Sequence, residues 1–390
     1  MRRRGWGIGV PQRNPPDVGQ VVQVELIRVS VPLVHQHRSA RSLESSRESV
    51  LVVLTDATGF VGLGECPAMA SGGYVVETID LAWSALCNDL APSVLAGRPS
   101  FAVGAPAASS SVADALLDLG LRSADLGLTE WLHGGVRVPD RAPMEGDDPG
   151  TTLEWCSVLA DAYLETDEVL ERSRAAISLG ASMLKLKVIE PRRLVEQVRA
   201  IRSIADVPIA ADANGSLTPA DVLMVDDLSL AYLEQPLPFG TSYDQLARVT
   251  ADTATPVALD ESLTSLDALS DALSQGALDV ASVKPARMGG LVRAAHSVDM
   301  CAERGVRAFV GGMFELGVGR AGALGLATLP GCTEPTDLGP SAAYFDTDVV
   351  EAIPTDDSGR LIVPTGPGIG RTLGYGALEE VMVDRVLLTG

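Results

Sequence analysis

ASMLKLKV (181–188), VPIAADANG (207–215), AYLEQP (231–236), TPVALDES (255–262) and DVASVKPAR (279–287) are five short apolar runs that each end in charge. Their length and β-type content read as strands. Between them stand segments of helical period such as PRRLVEQVRAIRSI (191–204). Strand and helix in alternation predict parallel βα units. In a closed βα barrel the C-terminal strand ends converge on one mouth, where active sites are built. The charged groups of these runs, Lys185, Lys187, Asp212, Glu234, Asp260 and Lys284, are therefore expected to meet there.

Outward from this stretch, alternation begins at EWCSVLADA and runs to about CTEPTDLG, giving eight strand candidates and a barrel over 150–350. Ahead of it, VVQVELIRVSVPL (21–33) reads as a strand, and ESVLVVLTDATGFVGLGECP as a hairpin turning at Asp56–Gly59. The polar HQHRSARSLESSR between them reads as an irregular lid or binding loop. Two helical patterns follow, so 21–135 is expected to be an α+β unit distinct from the barrel. VRVPDRAPMEGDDPGTT reads as the linker. The strand-rich end, 351–390, is expected to return to the first unit. MRRRGWGIGVPQRNPPDVGQ (1–20) has no apolar core, so it is not a signal peptide and is expected to fray.

The 390 residues are 46% hydrophobic and 21% charged, with a formal net charge of −21. That composition supports a large core. The acidic balance excludes nucleic acid and anionic membrane as expected partners, because both are held by clustered Lys and Arg. Five dispersed cysteines without a CxxC pair read as reduced thiols of a cytoplasmic protein, with no zinc site. Four histidines, none at a barrel strand end, leave Ser/His and Cys/His catalysis without support.

Asp212, Glu234 and Asp260 close three consecutive strands. Any one alone reads as a helix cap, but three in succession can form one face of an octahedral hard-cation site, with Mg²⁺ expected and Mn²⁺ as a substitute. Glu261 follows Asp260 directly and diverges from it on strand geometry, so it is expected to orient the ligands rather than bind. In LKLK, Lys185 and Lys187 share one face and Leu184 and Leu186 the other. Two buried like charges depress the pKa of one, which suits a general base. Lys284, three strands on, approaches from the opposite side. The chemistry these groups fit is removal of a proton α to a carboxylate: a metal stabilises the enediolate and a lysine takes the proton. The glycine-rich GGMFELGVGR and PTGPGIG are expected to be tight turns rather than phosphate or dinucleotide loops.

GLGECPAMASGGY, KLKV, DANG, EQPL, LDES, VKPARMGG, GGMFELGVGRA and PTGPGIG, in this order and spacing, resemble the enolase superfamily. Within it the likeness is to the muconate-lactonising subgroup, and most to its o-succinylbenzoate synthase and N-acylamino acid racemase branch. The resemblance implies an α/β fold, a (β/α)7β TIM-like barrel with an α+β capping domain formed by the N-terminal region and C-terminal tail. It implies Lys187 as base, Lys185 as its pKa-lowering and carboxylate-contacting neighbour, and Lys284 as the lysine of the opposite face. Asp212, Glu234 and Asp260 become the Mg²⁺ ligands, with Asn214 and Glu261 orienting them. Arg287 matches an arginine of racemase-competent members. The implied activity is a Mg²⁺-dependent dehydratase or racemase acting on a small carboxylate, in a homo-oligomer. A muconate-lactonising-like cycloisomerase and a carboxylate-binding barrel without turnover are the alternatives. Leu316, where the family usually has Thr or Ser, and the lid HQHRSARS depart from the pattern. Substrate contacts are expected from Arg287, Met313, Phe314, Met69 and Tyr74.

Overall fold

The computed structural model describes residues 13–38, 43–70, 77–134, 151–159 and 161–390. Three strands open the chain, β1 (Val21–Arg38), β2 (Leu43–Asp56) and β3 (Val61–Cys66). They form an antiparallel sheet through a hairpin at Asp56, whose Oδ1 accepts the Thr58 and Phe60 N–H groups while Gly59 adopts φ 94°. Most of the segment expected as an irregular lid is instead a continuation of the β1–β2 pair, with His37 opposite Glu44 and Arg38 opposite Leu43. A register shift after Pro32 separates this arm from the body of the sheet. Residues 39–42, Tyr74 and the expected linker from 136 to 150 lie outside the described residues.

Helices α1 (Ile79–Ala85), α2 (Ala91–Leu95), α3 (Pro106–Ser123) and α4 (Leu128–Leu132) follow, with one π turn at Leu86–Leu90. α3 packs on β3 with its backbone close enough that a Cβ on Gly64 would meet the Ser111 carbonyl oxygen at 2.0 Å, so only glycine fits there. Residues 13–20, part of the segment expected to fray, are docked from Arg13 onward. Arg13 pairs with Asp299 and donates to the Leu132 carbonyl at 2.8 Å, and the Asn14 carbonyl accepts Trp131 Nε1–H at 3.1 Å.

The chain then alternates β4 (Thr152–Leu153), β5 (Cys156–Leu159), α5 (Thr166–Ser178), β6 (Met183–Lys187), α6 (Pro191–Ile204), β7 (Ile209–Asp212), α7 (Pro219–Val225), β8 (Leu233–Glu234), α8 (Tyr243–Asp252), β9 (Val257–Leu259), α9 (Leu266–Gln275), β10 (Val280–Val283), α10 (Pro285–Met288), α11 (Leu291–Arg304), β11 (Arg307–Val310) and α12 (Gly317–Ala327). A seven-stranded parallel sheet runs in chain order from β5 to β11, as unbroken βα alternation requires. An extended segment closes it. Thr333 and Asp337 donate to Ala308 and Val310 on the β11 side, while Thr336 exchanges hydrogen bonds with Glu154 and Cys156 on the β5 side. Cys156, Met183, Ala210, Ala258, Val280 and Phe309, each from a different strand, and Tyr232, just before β8, fill the interior at 0–1% exposure. Outside, Leu184, Leu186, Ala211, Leu233, Leu259 and Val283 face the helices.

β12 (Leu361–Ile362) pairs with β4. After α13 (Tyr375–Val381), β13 (Met382–Thr389) pairs with β1 as the outer strand of the N-terminal sheet. All five cysteines are free thiols. Among the described residues no helix is long and apolar enough to cross a membrane.

Candidate active site

β6 alternates as its sequence dictates: Met183 joins the interior plug, Leu184 and Leu186 join the outer core, and Lys185 and Lys187 face the barrel mouth. Lys185 Nζ sits above the plug, 4.9 Å from the Phe309 ring centroid and 5.9 Å from that of Tyr232. It donates to Glu234 Oε2 at 2.5 Å and to Asp337 Oδ2 at 2.6 Å. Burial lowers its pKa, but Asp337 and Glu234 outweigh burial and hold the pKa well above the usual lysine value. Lys185, expected as the pKa-lowering neighbour of Lys187 and a contact of the substrate carboxylate, thus has its charge matched by two carboxylates. Asp337, absent from the sequence-based set, is the residue that changes the reading. Its signal was a lone Asp in PTDLGP, indistinguishable from a turn residue.

Lys187 Nζ donates to Asp212 Oδ2 at 2.6 Å and Asn214 Oδ1 at 2.9 Å. Asn214 holds φ 43°, donates its N–H to Asp212 Oδ1 and its Nδ2 to Glu261 Oε1 at 3.0 Å. It thus ties the base candidate, one candidate ligand and Glu261 into a single network. On the far side Lys284 Nζ donates to Asp260 Oδ2 at 2.9 Å. Three strands, β7, β8 and β9, separate the two lysines in the sheet.

Gln235 also escaped the sequence reading, although it lies in the quoted EQP. It is fully buried at φ 38°, and its Oε1 accepts the N–H groups of Asp260 and Ser262 while its Nε2 reaches the Leu237 carbonyl and Ser262 Oγ. Three of the four hydrogen bonds of that amide go to Asp260 and Ser262 at the β9 end. Arg287, expected to contact substrate, is not among the described residues that line the cavity described below. Its Nη1 binds the Asp260 carbonyl at 2.6 Å and Asp260 Oδ1 at 2.7 Å.

The mouth opens on a cavity of about 820 Å³, open solvent included, walled by Lys185, Lys187, Asp212, Asn214, Glu234 and Lys284 on the polar side and by Met69, Val158, Met313, Phe314 and Tyr344 on the apolar side. Met313, Phe314 and Met69 thus line it, whereas Leu316 does not. Leu316 is fully buried in the outer core as the N-cap of α12, without a side-chain cap. GGMFELGVGR is also more than a turn, for it joins β11 to α12. No phosphate cradle results, because the first N–H groups of α12 are already taken by Glu65 and Asp348. Val350 would meet a Cβ on Gly317 at 2.1 Å, so the glycine serves packing.

As placed, each of Asp212, Glu234 and Asp260 is turned to an ammonium group, and among the described residues no three His, Cys, Asp or Glu side chains converge as a metal-binding group. The donor chemistry nonetheless fits a hard cation. Burial, with Asp212 and Asp260 adding to it against Lys185, pushes the Glu234 carboxyl up to about 8. Glu261 Oε2 is buried without a hydrogen-bond partner among the described residues. Crowded, dry carboxylate oxygens of this kind are what a divalent cation relieves.

Residues 168–374 match the family model described as enolase C-terminal domain-like. An N-succinylamino acid racemase of an Amycolatopsis species is 34% identical over 93% of this chain and 98% of the racemase. An o-succinylbenzoate synthase of Bacillus subtilis is 29% identical over 90% of this chain and 94% of that enzyme. Among solved structures, a probable mandelate racemase of Alicyclobacillus acidocaldarius superposes with a TM-score of 0.80 at 30% identity, over 95% of this chain and 99% of its own. A muconate lactonizing enzyme of Pseudomonas fluorescens reaches 0.83 at 22% identity, over 94% of this chain and 100% of its own, which supports the fold alone.

Proposed function

The chain belongs to the enolase superfamily, and from that premise we propose that it is an enzyme that removes the proton α to a small carboxylate, of the o-succinylbenzoate synthase or N-acylamino acid racemase type. In this reading the β1–β2–β3 sheet, helices α1–α4 and β13 form a cap over a (β/α)7β barrel, and the enzyme works in the cytoplasm as a homo-oligomer. The observation that carries the reaction is that Lys187 and Lys284 open onto one cavity from β6 and from the end of β10, with three strands between them.

Asp212, Glu234 and Asp260 are the residues that would hold Mg²⁺, or Mn²⁺ in its place. Bound there, the cation supplies positive charge to a substrate carboxylate as electron density moves onto it. The chain does the rest. Lys187 takes the α-proton, and Asn214 Oδ1 fixes its rotamer. Lys284 faces the other side, where it returns a proton or stabilises charge as a β leaving group departs. Lys185, protonated between Glu234 and Asp337, is a fixed cation toward the substrate carboxylate. Met69, Met313, Phe314 and Tyr344 exclude water from the face where carbanion character develops. Exchange of the α-proton in D₂O tests the reading, across N-acyl amino acids and alongside formation of o-succinylbenzoate from its precursor. Exchange with any member supports it. No exchange and no dehydration in the presence of Mg²⁺ and Mn²⁺ would overturn it.

A further inference from the structure

Lys284 stands on a loop just past its strand. β10 ends at Val283, and the single turn of α10 is followed by Gly289 and Gly290, which reverse the chain at φ 90° and 102°. Within the loop the Lys284 carbonyl accepts the N–H groups of Arg287 and Met288, and the Pro285 carbonyl those of Gly289 and Gly290. These bonds fix the shape of the loop. On the barrel side Arg287 ties it to Asp260. On the other side it is held by the N-terminal unit.

The groups that hold it there stand on α3, one helical turn apart. Ser110 Oγ donates to the Pro285 carbonyl at 3.1 Å, and Asp114 Oδ1 accepts the Leu291 N–H at 2.7 Å, across 175 and 177 positions of sequence. The helix thus grips the loop on both sides of its reversal. A Cβ on Gly290 would lie 2.8 Å from Asp114 Oδ1, and Ala286 belongs to the same apolar cluster as Val112 of α3. α3 is itself fixed, because the two oxygens of Glu77 accept the N–H groups of Ala107 and Ala108 at its start. The next turn of the helix serves other segments: Asp118 accepts the Leu63 N–H at 2.8 Å and the Ile369 N–H at 2.7 Å.

The Lys284 side chain has little slack of its own. It is buried, and its Cε would lie 2.8 Å from a Cβ on Gly311, so a shift of the loop passes directly to Nζ. Lys187 differs, for it leaves a strand inside the barrel sheet and is held by Asp212 and Asn214 of the same barrel.

We propose that Asp114, aided by Ser110, is a positioning residue: from α3 it holds the 284–291 loop so that Lys284 can transfer a proton on its face of the substrate. Proton transfer at Lys284 then depends on the N-terminal unit, and proton transfer at Lys187 does not. This rests on the reaction proposed above, and the test separates the two.

Exchange of the α-proton in D₂O is measured for both enantiomers of the N-acyl amino acid that exchanges fastest, with Lys187→Ala and Lys284→Ala assigning each face to its lysine. Asp114→Ala is expected to slow exchange at the Lys284 face by roughly 10- to 10²-fold and to leave the Lys187 face unchanged. Both rates come from one sample, so a loss of folded protein cancels from their ratio. Ser110→Ala shifts the ratio the same way by less, and Asp114→Asn, which keeps an acceptor for the Leu291 N–H, restores most of it. Asp118→Ala loosens α3 elsewhere and leaves the ratio alone. A ratio that neither Asp114→Ala nor Ser110→Ala moves, or that Asp118→Ala moves as far, would make Asp114 merely structural; either result overturns the assignment and leaves the reaction standing. Exchange or dehydration in wild type without exchange at the Lys284 face also overturns it, since Lys284 then transfers no proton. No exchange and no dehydration removes both.

Discussion

The Glu65 carboxylate accepts the backbone N–H of Leu316 at 2.7 Å, across 251 positions of sequence. Its other oxygen accepts the Gly319 N–H at 2.8 Å, and Ser49 Oγ adds a third hydrogen bond at 2.9 Å. A strand of the N-terminal sheet therefore caps a barrel helix, and the loop so fastened carries Met313 and Phe314 to the cavity. The cap that Leu316 lacks is supplied from β3 and from Asp348.

Leu316→Ser tests which effect dominates. A serine N-cap stabilises by about 1 kcal/mol, whereas removing a fully buried leucine costs about 2–5 kcal/mol. The variant is expected to be destabilised by about 1–4 kcal/mol in urea, with an unchanged order of substrates, because Leu316 is off the cavity wall. A stabilised variant with a new substrate order would show that the packing term is misjudged.

Glu65→Gln is a pH experiment. Burial, against its hydrogen bonds from Gly319 and Leu316, raises the Glu65 carboxyl from 4.5 to about 7. The folded state thus binds this proton more tightly than the unfolded state, so stability falls as pH rises from 4.5 to about 7 and is level above. Glutamine cannot ionise. The stability of Glu65→Gln relative to wild type is expected to rise by about 3 kcal/mol across that window. Its donor NH₂ near the Gly319 N–H adds a penalty that does not vary with pH, so the change between pH 5 and pH 8 is the readout. An equal difference at both pH values would sink the assignment.

The barrel was legible because each strand ended in charge and each helix kept its period; the same pattern put Lys185 and Lys187 on one face and the three carboxylates on neighbouring strand ends. What stayed hidden were partners distant in sequence. Asp337, Gln235 and Glu65 look like a turn residue, a strand-end amide and an ordinary strand acid until the fold brings them to Lys185, Asp260 and Leu316. Arg287 was read as a substrate contact because its motif is local, while its direction is set by Asp260 on another strand. The β1–β2 arm was read as a loop because a two-stranded extension beyond the sheet body need not alternate apolar and polar residues.

Cation binding is checked without turnover. Mg²⁺ at one hundred times its Kd is expected to stabilise the fold by about 2.7 kcal/mol, seen as a shift of the melting temperature that chelator reverses. Asp212→Asn, Glu234→Gln and Asp260→Asn should each erase that shift. Its persistence in all three would place the cation elsewhere.

Lys185→Ala removes the cation shared by Glu234 and Asp337 and leaves both carboxylates in a dry site. Breaking a buried pair in this way costs about 3–5 kcal/mol, so the variant should melt far below wild type. Adding Asp337→Asn to it should recover part of that loss. A single mutant as stable as wild type would mean that the pair does not exist in solution.

The two faces of the site make the last prediction. Lys187 leaves β6 and Lys284 follows β10, so each lysine reaches one side of a substrate held between them. For a racemase, Lys187→Ala should suppress α-proton exchange of one enantiomer by roughly 10²–10⁴, and Lys284→Ala that of the other, with each single mutant retaining exchange at the face of its surviving lysine. For a dehydratase the symmetry breaks: Lys187 alone is indispensable, and Lys284→Arg keeps partial activity because a guanidinium still places positive charge near the intermediate. Exchange of both enantiomers in D₂O, followed for the two alanine mutants and Lys284→Arg, separates these cases. Wild-type rates after Lys187→Ala would remove the general base, and with it the reaction proposed for this barrel.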